Sequence, residues 1–223
     1  MKNNVSAAAT PRPKSSRRPR GKPRLIRRRP AHPAIRLTPY TWAKLLYLRD
    51  VGATEIGGFG ISHADDPLLL EDVALVTQRC DWASVALDDA AVADYFDRQV
   101  ELGRQPQEFG RIWVHTHPGN CPRPSAIDEK TFSRVFGGCQ WAVMLIVASG
   151  GATYARLAYH LGPAGSWEIP VEVAFEAEFP GADHDAWQLE YDRSVRTVLE
   201  EAWEDFDQRW TIVPEEAAHD LLC

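Results

Sequence analysis

The chemistry-bearing stretch of the chain is Trp113–Asp128, WVHTHPGNCPRPSAID, where one residue separates His115 from His117 and Asp128 follows Ser125 by three. If His115 and His117 lie on a strand, the period of two puts both imidazoles on the same face. If Ser125 opens a helix, Asp128 lies about one turn later, where its carboxylate can swing toward the strand end. Two imidazoles and one carboxylate suit Zn²⁺ and leave a fourth tetrahedral position for water, as in catalytic rather than structural zinc sites. Each piece alone has an ordinary explanation: a satisfied histidine pair, and a Ser-x-x-Asp capping box that only starts a helix. Together, H-x-H-x₇-S-x₂-D should arise by chance on the order of once in several thousand chains of this size. The two readings of Ser125 are compatible, because its backbone can start the helix while its hydroxyl faces the metal.

The elements that must position these residues are legible in the surrounding pattern. Thr38 followed by Pro39 reads as an N-cap with proline in the first turn of a helix, with Trp42, Leu45, Leu46 and Arg49 at helical spacing and Gly52 as a stop. Glu55–Ser62 is a glycine-rich, apolar strand, and Pro67–Cys80 holds one or two more. Asp88 or Asp89 caps a helix to about Leu102, with Val92, Phe96 and Val100 on one face. Phe109–His117 reads as a strand, and Ser125 opens a helix that Gly137–Gly138 ends. Trp141–Ala148, WAVMLIVA, is apolar throughout, as a strand buried on both faces would be. A turn at Gly150–Gly151 returns the chain as a neighbouring strand, Ala152–Leu161. Trp187, Tyr191, Val195, Val198, Leu199, Ala202, Trp203 and Phe206 share one helical stripe, which predicts a long helix from about Ala182 to Gln208. That helix is expected to pack back on the domain, the alternative being a docking surface for a partner chain.

Charge divides the chain. The net charge is −6, but residues 1–36 carry 12 of the 25 Lys+Arg and none of the 31 Asp+Glu, which leaves −18 on the rest. That first stretch also holds six of the sixteen prolines. With so little apolar content it is expected to be a disordered basic arm, either a solvated tail or a contact to nucleic acid or an acidic partner. No apolar run approaches the roughly 20 residues needed to span a bilayer, and no apolar segment follows the basic N-terminus, so neither membrane insertion nor a signal peptide is expected. Four scattered cysteines do not make a disulfide framework. These features together lead to the expectation of a cytoplasmic protein. Cys121 lies between the metal ligands, where a thiolate could coordinate or act as a redox switch. The ordinary reading, a small loop residue, is preferred because three ligands are already supplied. Cys80, Cys139 and Cys223 have no metal-binding spacing.

His115-Thr116-His117-Pro118, seven residues, Ser125, two residues and Asp128 resemble the JAMM motif of the JAB/MPN-domain metalloproteases. Pro122 and Pro124 before Ser125 are similar to the prokaryotic branch. Glu55-Ile56-Gly57-Gly58-Phe59-Gly60 supplies the glutamate that the family carries upstream in a Glu-x-x-Gly strand. The resemblance covers roughly Leu37 to Leu161 and implies an α+β fold: a mixed, strongly curved sheet flanked by helices. The expected organisation is a basic arm at 1–36, a metalloprotease domain at 37–165, and a C-terminal extension at 166–223 bearing the long helix.

The same resemblance implies that His115, His117 and Asp128 hold one Zn²⁺ with water as fourth ligand. It further implies that Glu55 acts as general base and then general acid, and that Ser125 donates a hydrogen bond to the oxyanion. The implied substrate is a ubiquitin-like protein, cut after its C-terminal Gly-Gly in deconjugation or precursor processing. Trp82–Ala91 is expected to wall the cleft for that tail. The alternative is a catalytically silent scaffold of the same fold that binds partners through its surface; such scaffolds generally lack part of the metal set, which is complete here. Oligomeric state is not legible in the sequence.

Overall fold

Eight strands form one sheet, in the order β10-β1-β3-β2-β6-β7-β8-β9, in the computed structural model, which describes residues 32–197. They are β1 (Ile35–Leu37), β2 (Gly57–His63), β3 (Asp66–Ala74), β6 (Ile112–His117), β7 (Trp141–Ala148), β8 (Thr153–Tyr159), β9 (Gly165–Glu168) and β10 (Val171–Val173). Three pairs are parallel (β1–β10, β1–β3, β6–β7) and the other four antiparallel, so the sheet is mixed. It is also curled: just before the edge strand β10, the Ile169 amide donates to the Ala155 carbonyl of β8 at 2.9 Å. The result is a half-barrel flanked by helices. A smaller sheet of β11 (Val195–Thr197), β4 (Gln78–Cys80) and β5 (Val85–Leu87) stands beside it.

The helices are α1 (Pro39–Asp50), α2 (Asp89–Glu101), α3 (Pro106–Phe109), α4 (Ala126–Phe136) and α5 (His184–Ser194). Strand β7 explains its own continuous apolar sequence. Ala142, Met144 and Ile146 join the core beneath α2 and α4, whereas Val143, Leu145 and Val147 join the core under α1. Both faces are covered, so no polar alternation is needed. The turn after β7 runs through Gly150 and Gly151, whose φ of 74° and 79° lie in the left-handed region that glycine adopts without steric cost.

Four expectations are corrected. The long C-terminal helix ends at Ser194, and Val195–Thr197 instead form β11, paired parallel with β4. The physical reason is tertiary: β-branched Val195 fills a slot with Leu48, Ile56, Leu75 and Cys80 that a continuing helix could not reach. Val198, Leu199, Ala202, Trp203 and Phe206 lie outside the described residues. Second, the basic arm, drawn to Arg36, overlaps β1: Ile35 is fully buried, and the Arg36 guanidinium pairs with Asp66 and Glu176. Third, the sheet does not end at 165, since β9 and β10 complete both its edges. Fourth, Val100 is exposed: α2 buries Val92, Tyr95, Phe96 and Gln99 instead. In addition, the strand predicted from Phe109 begins only at Ile112, after the short turn α3.

Helix α5 is fastened to α1 by an aromatic anchor and a buried charge. Trp187, 1% exposed, packs edge-on against Tyr40 and donates its indole N–H to the Tyr40 hydroxyl at 3.0 Å. Lys44 Nζ donates to the Val73 carbonyl at 2.7 Å, to Asp72 at 2.9 Å and to Glu190 at 2.6 Å, so the buried ammonium has a partner for each proton. Burial works against the Lys44 charge, but the two carboxylates outweigh it and hold its pKa above the ordinary value. Trp187→Ala is expected to cost about 3–5 kcal/mol of stability through the cavity and the lost anchor. Urea unfolding followed by circular dichroism measures it, and a loss under about 1 kcal/mol would mean that α5 is not held in this way.

Candidate metal centre

Strand β6 carries the two histidines where its backbone is most firmly placed. It pairs parallel with β7 along its whole length, His115 opposite Ile146 and His117 opposite Ala148, and antiparallel with β2, His115 opposite Gly57. Trp113, His115 and His117 therefore share one face, and the indole of Trp113 stacks on the His115 ring with centroids 4.4 Å apart. Gly57 leaves space there: a Cβ on it would meet a methyl of Val85 at 2.9 Å.

Asp128 arrives from α4 by a reciprocal cap. The Ser125 hydroxyl accepts from the Asp128 amide at 3.2 Å, and Asp128 Oδ2 accepts from the Ser125 amide at 2.6 Å. That leaves Oδ1 directed at His115 Nε2, 3.3 Å away. The capping box and the ligand reading thus coexist in one side chain, one oxygen for each.

The separations fit a small divalent ion. His115 Nε2 and His117 Nε2 are 3.1 Å apart, and His117 Nε2 is 3.6 Å from Asp128 Oδ2. The 3.1 Å between the imidazoles and the 3.3 Å from His115 Nε2 to Asp128 Oδ1 are close to the ~3.4 Å edge of a tetrahedron built on bonds of ~2.1 Å. All three residues are buried, and among the described residues no other group of three His, Cys, Asp or Glu donors comes together like this one. The group can hold a metal ion. His117 is set up for it: its Nδ1–H donates to the Cys121 carbonyl at 2.8 Å, which fixes the tautomer and turns Nε2 inward. Cys121 therefore serves the site through its backbone, and its side chain lies at the exposed surface. Buried His115 Nδ1 has no partner.

Burial and neighbouring groups set the charges of the three side chains. Burial drives the His115 pKa down, so that its ring is neutral. Burial also opposes a charge on His117, but the Asp128 carboxylate, the Cys121 carbonyl and Glu55 overcome it and raise its pKa. Asp128 is held well below the usual carboxylate range: burial works upward, and the hydrogen bonds it accepts from both imidazoles and from the Ser125 amide prevail.

Glu55, at the entry to β2, brings the fourth functional group: its Oε1 lies 3.8 Å from His117 Nε2. Burial, reinforced by Asp128 and Asp81 and opposed by His117, pushes its pKa up to about 7. The structure thus gathers Glu55, His115, His117, Ser125 and Asp128, all five residues singled out from the sequence. Three supporting residues were not singled out. Asp81 gives its carbonyl to the Glu55 amide at 2.8 Å. Thr116, between the histidines, accepts from the Ile56 amide at 3.1 Å. Gln78 binds the backbone of Gly57. None belongs to a recognisable pattern, and Gln78 reads in the sequence only as part of a strand run.

No protein-family model matches the chain, and no curated protein matches it. Among the described residues, no helix is long and apolar enough to cross a membrane.

One divalent ion per chain is expected by calorimetry, with binding lost in His115→Ala, His117→Ala and Asp128→Ala. At 100 times its dissociation constant the ion should add about 2.7 kcal/mol of stability, reversed by a chelator. Because His117 must lose a proton whose pKa is raised above 6.5, affinity should strengthen as pH rises from 6 to 8. A pH-independent affinity would exclude His117 as a ligand.

Proposed function

We propose that the protein is a zinc-dependent peptidase or isopeptidase of the JAMM type. The observation that carries the reading is the convergence of His115, His117 and Asp128 beside a buried Glu55 carboxylate, 3.8 Å from the nearer imidazole. A trio of ligands could serve structure alone; a trio with an adjacent base of pKa near 7 is what amide hydrolysis at neutral pH requires.

His115, His117 and Asp128 would hold the ion. When bound, zinc supplies a Lewis acid that lowers the pKa of water toward about 7 and polarises a carbonyl oxygen. Glu55 accepts a proton from the attacking water as the oxygen adds to the carbonyl carbon. It returns that proton to the amine nitrogen as the C–N bond breaks, so that the products are a carboxylic acid and a free amine. Ser125 would help: its Oγ accepts from the Asp128 amide, and its own proton would donate to the oxyanion.

The substrate in this reading is a ubiquitin-like protein with a Gly-Gly tail. Its support is the resemblance of the motif together with two features beside the site. Strand β5 lies at the edge of its sheet, where an extended tail can add by main-chain hydrogen bonds. Trp82, 77% exposed, follows Asp81 directly and presents an apolar wall at the same end. The acidic body favours a tail with basic residues, through steering more than affinity.

Cleavage of a Gly-Gly-linked ubiquitin-like fusion, followed by gel and mass spectrometry, tests the reading. Glu55→Gln is expected to retain its zinc and to lower kcat by about 10²–10⁴-fold. Unchanged cleavage in that variant would remove Glu55 from the chemistry, and absence of cleavage by the zinc-loaded wild type would remove the activity itself.

A further inference from the structure

Glu55 precedes β2; its own amide donates to the Asp81 carbonyl at 2.8 Å, and the two peptides that follow are held from opposite sides. On the β6 side, Ile56 exchanges hydrogen bonds with Thr116: its amide donates to Thr116 Oγ1 at 3.1 Å, and its carbonyl accepts from the Thr116 amide at 2.9 Å. The next residue, Gly57, turns its own N–H and C=O the other way. That side should be filled by β3, but the β2–β3 pairing ends at Phe59 and Ala74. The Gly57 polar groups would be buried without partners, which folded proteins avoid.

Gln78 fills the gap with its side chain. The Gly57 amide donates to Gln78 Oε1 at 2.8 Å, and Gln78 Nε2 donates to the Gly57 carbonyl at 2.8 Å. The second Nε2 proton goes to the Val76 carbonyl at 3.0 Å, and Cys80 Sγ donates to Oε1 at 3.3 Å. Gln78 is fully buried, and all four bonding positions of its carboxamide are used. No other amide orientation satisfies Gly57, so the geometry fixes which atom is oxygen. Gln78 touches none of the metal ligands; it holds the peptide two residues after Glu55, which itself sits opposite His115.

We propose that Gln78 is the positioning residue for the Glu55 carboxylate. Its carboxamide stands in for the strand that β3 no longer supplies and keeps Glu55 within reach of the metal centre. This inference rests on the hydrolase reading for its catalytic consequence, but not for its structural one. Displacement of a reacting group by about 1 Å costs on the order of 10²-fold in rate, whereas ligands carried by other elements are left in place.

The test is Gln78→Met, which keeps the side-chain length and removes every hydrogen bond to Gly57. Hydrogen exchange should show the Gly57 amide losing protection while the amides of Val143 and Leu145 in β7 keep theirs. In ¹³C-glutamate-labelled protein, the Glu55 carboxyl resonance, assigned by its absence in Glu55→Gln, should move on addition of Zn²⁺ in the wild type and respond less in the variant. Zinc stoichiometry should stay at one per chain, kcat should fall about 10–100-fold, and KM should stay within about twofold. A folded variant with unchanged kcat and an unchanged zinc-induced Glu55 shift would overturn the proposal, as would loss of zinc affinity in step with kcat. The exchange and resonance measurements need no substrate, so they decide the role of Gln78 even where the wild type cleaves nothing. If Gln78→Met does not fold, Gln78→Asn, one methylene short of Gly57, should show the same changes in weaker form; a wild-type exchange pattern there overturns the proposal equally.

Discussion

A buried carboxylate between two imidazoles is the constraint on which this structure turns. Asp128 cannot be removed from water without compensation, because an unpaired buried charge costs several kcal/mol. It is compensated three times over: by the Ser125 amide on one oxygen and by His115 and His117 around the pair. The same contacts that make its burial tolerable also bring its Oδ1 and the two Nε2 atoms into one buried group that can hold an ion. Stability and ligand geometry are therefore one arrangement. Anything that moves α4 relative to β6 disturbs both.

The fold serves that arrangement by making β6 immobile. Its neighbours are β7, buried on both faces, and β2, whose Gly57 lets the small sheet approach closely. The bidentate pair of Arg156 on β8 with Glu129 at 2.8 and 2.7 Å ties the first turn of α4 to the main sheet one residue beyond Asp128. Glu55 is the odd member. It lies just before a strand begins, where regular pairing has not started on one side and has already stopped on the other. The side chains of Thr116 and Gln78 there supplement the main-chain bonds from Asp81 and Thr116.

Much of this was legible in the chain. The period of two in β6 put His115 and His117 on one face, and the Ser-x-x-Asp spacing put Asp128 one turn into a helix; both depend only on local geometry. The caps at Thr38, Asp88 and Ser125 were readable for the same reason, since each needs a side-chain oxygen within three residues. Extents were less legible. The stripe Trp187, Tyr191, Val195 is as good a helical pattern as any in the chain, yet Val195 pairs with Gln78, more than a hundred residues away, because a buried slot beside β4 rewards a β-branched strand residue more than another helical turn would. The apolar residues around Ile35 gave no warning amid a basic arm, because a three-residue strand has no periodicity to detect.

The sequence by itself determined which donors exist and how neighbours along the chain face one another: the histidine pair, the serine–aspartate cap, the glutamate in a run of glycines. Spacing along one strand or one helical turn is set by backbone geometry, which every chain shares. Only the tertiary structure decided that these local pieces meet, that Glu55 reaches the imidazoles from just before a neighbouring strand, and that a glutamine from a second sheet completes the backbone beside it. Those are contacts between residues remote in sequence, fixed by how the layers close around two cores, and no local rule encodes them.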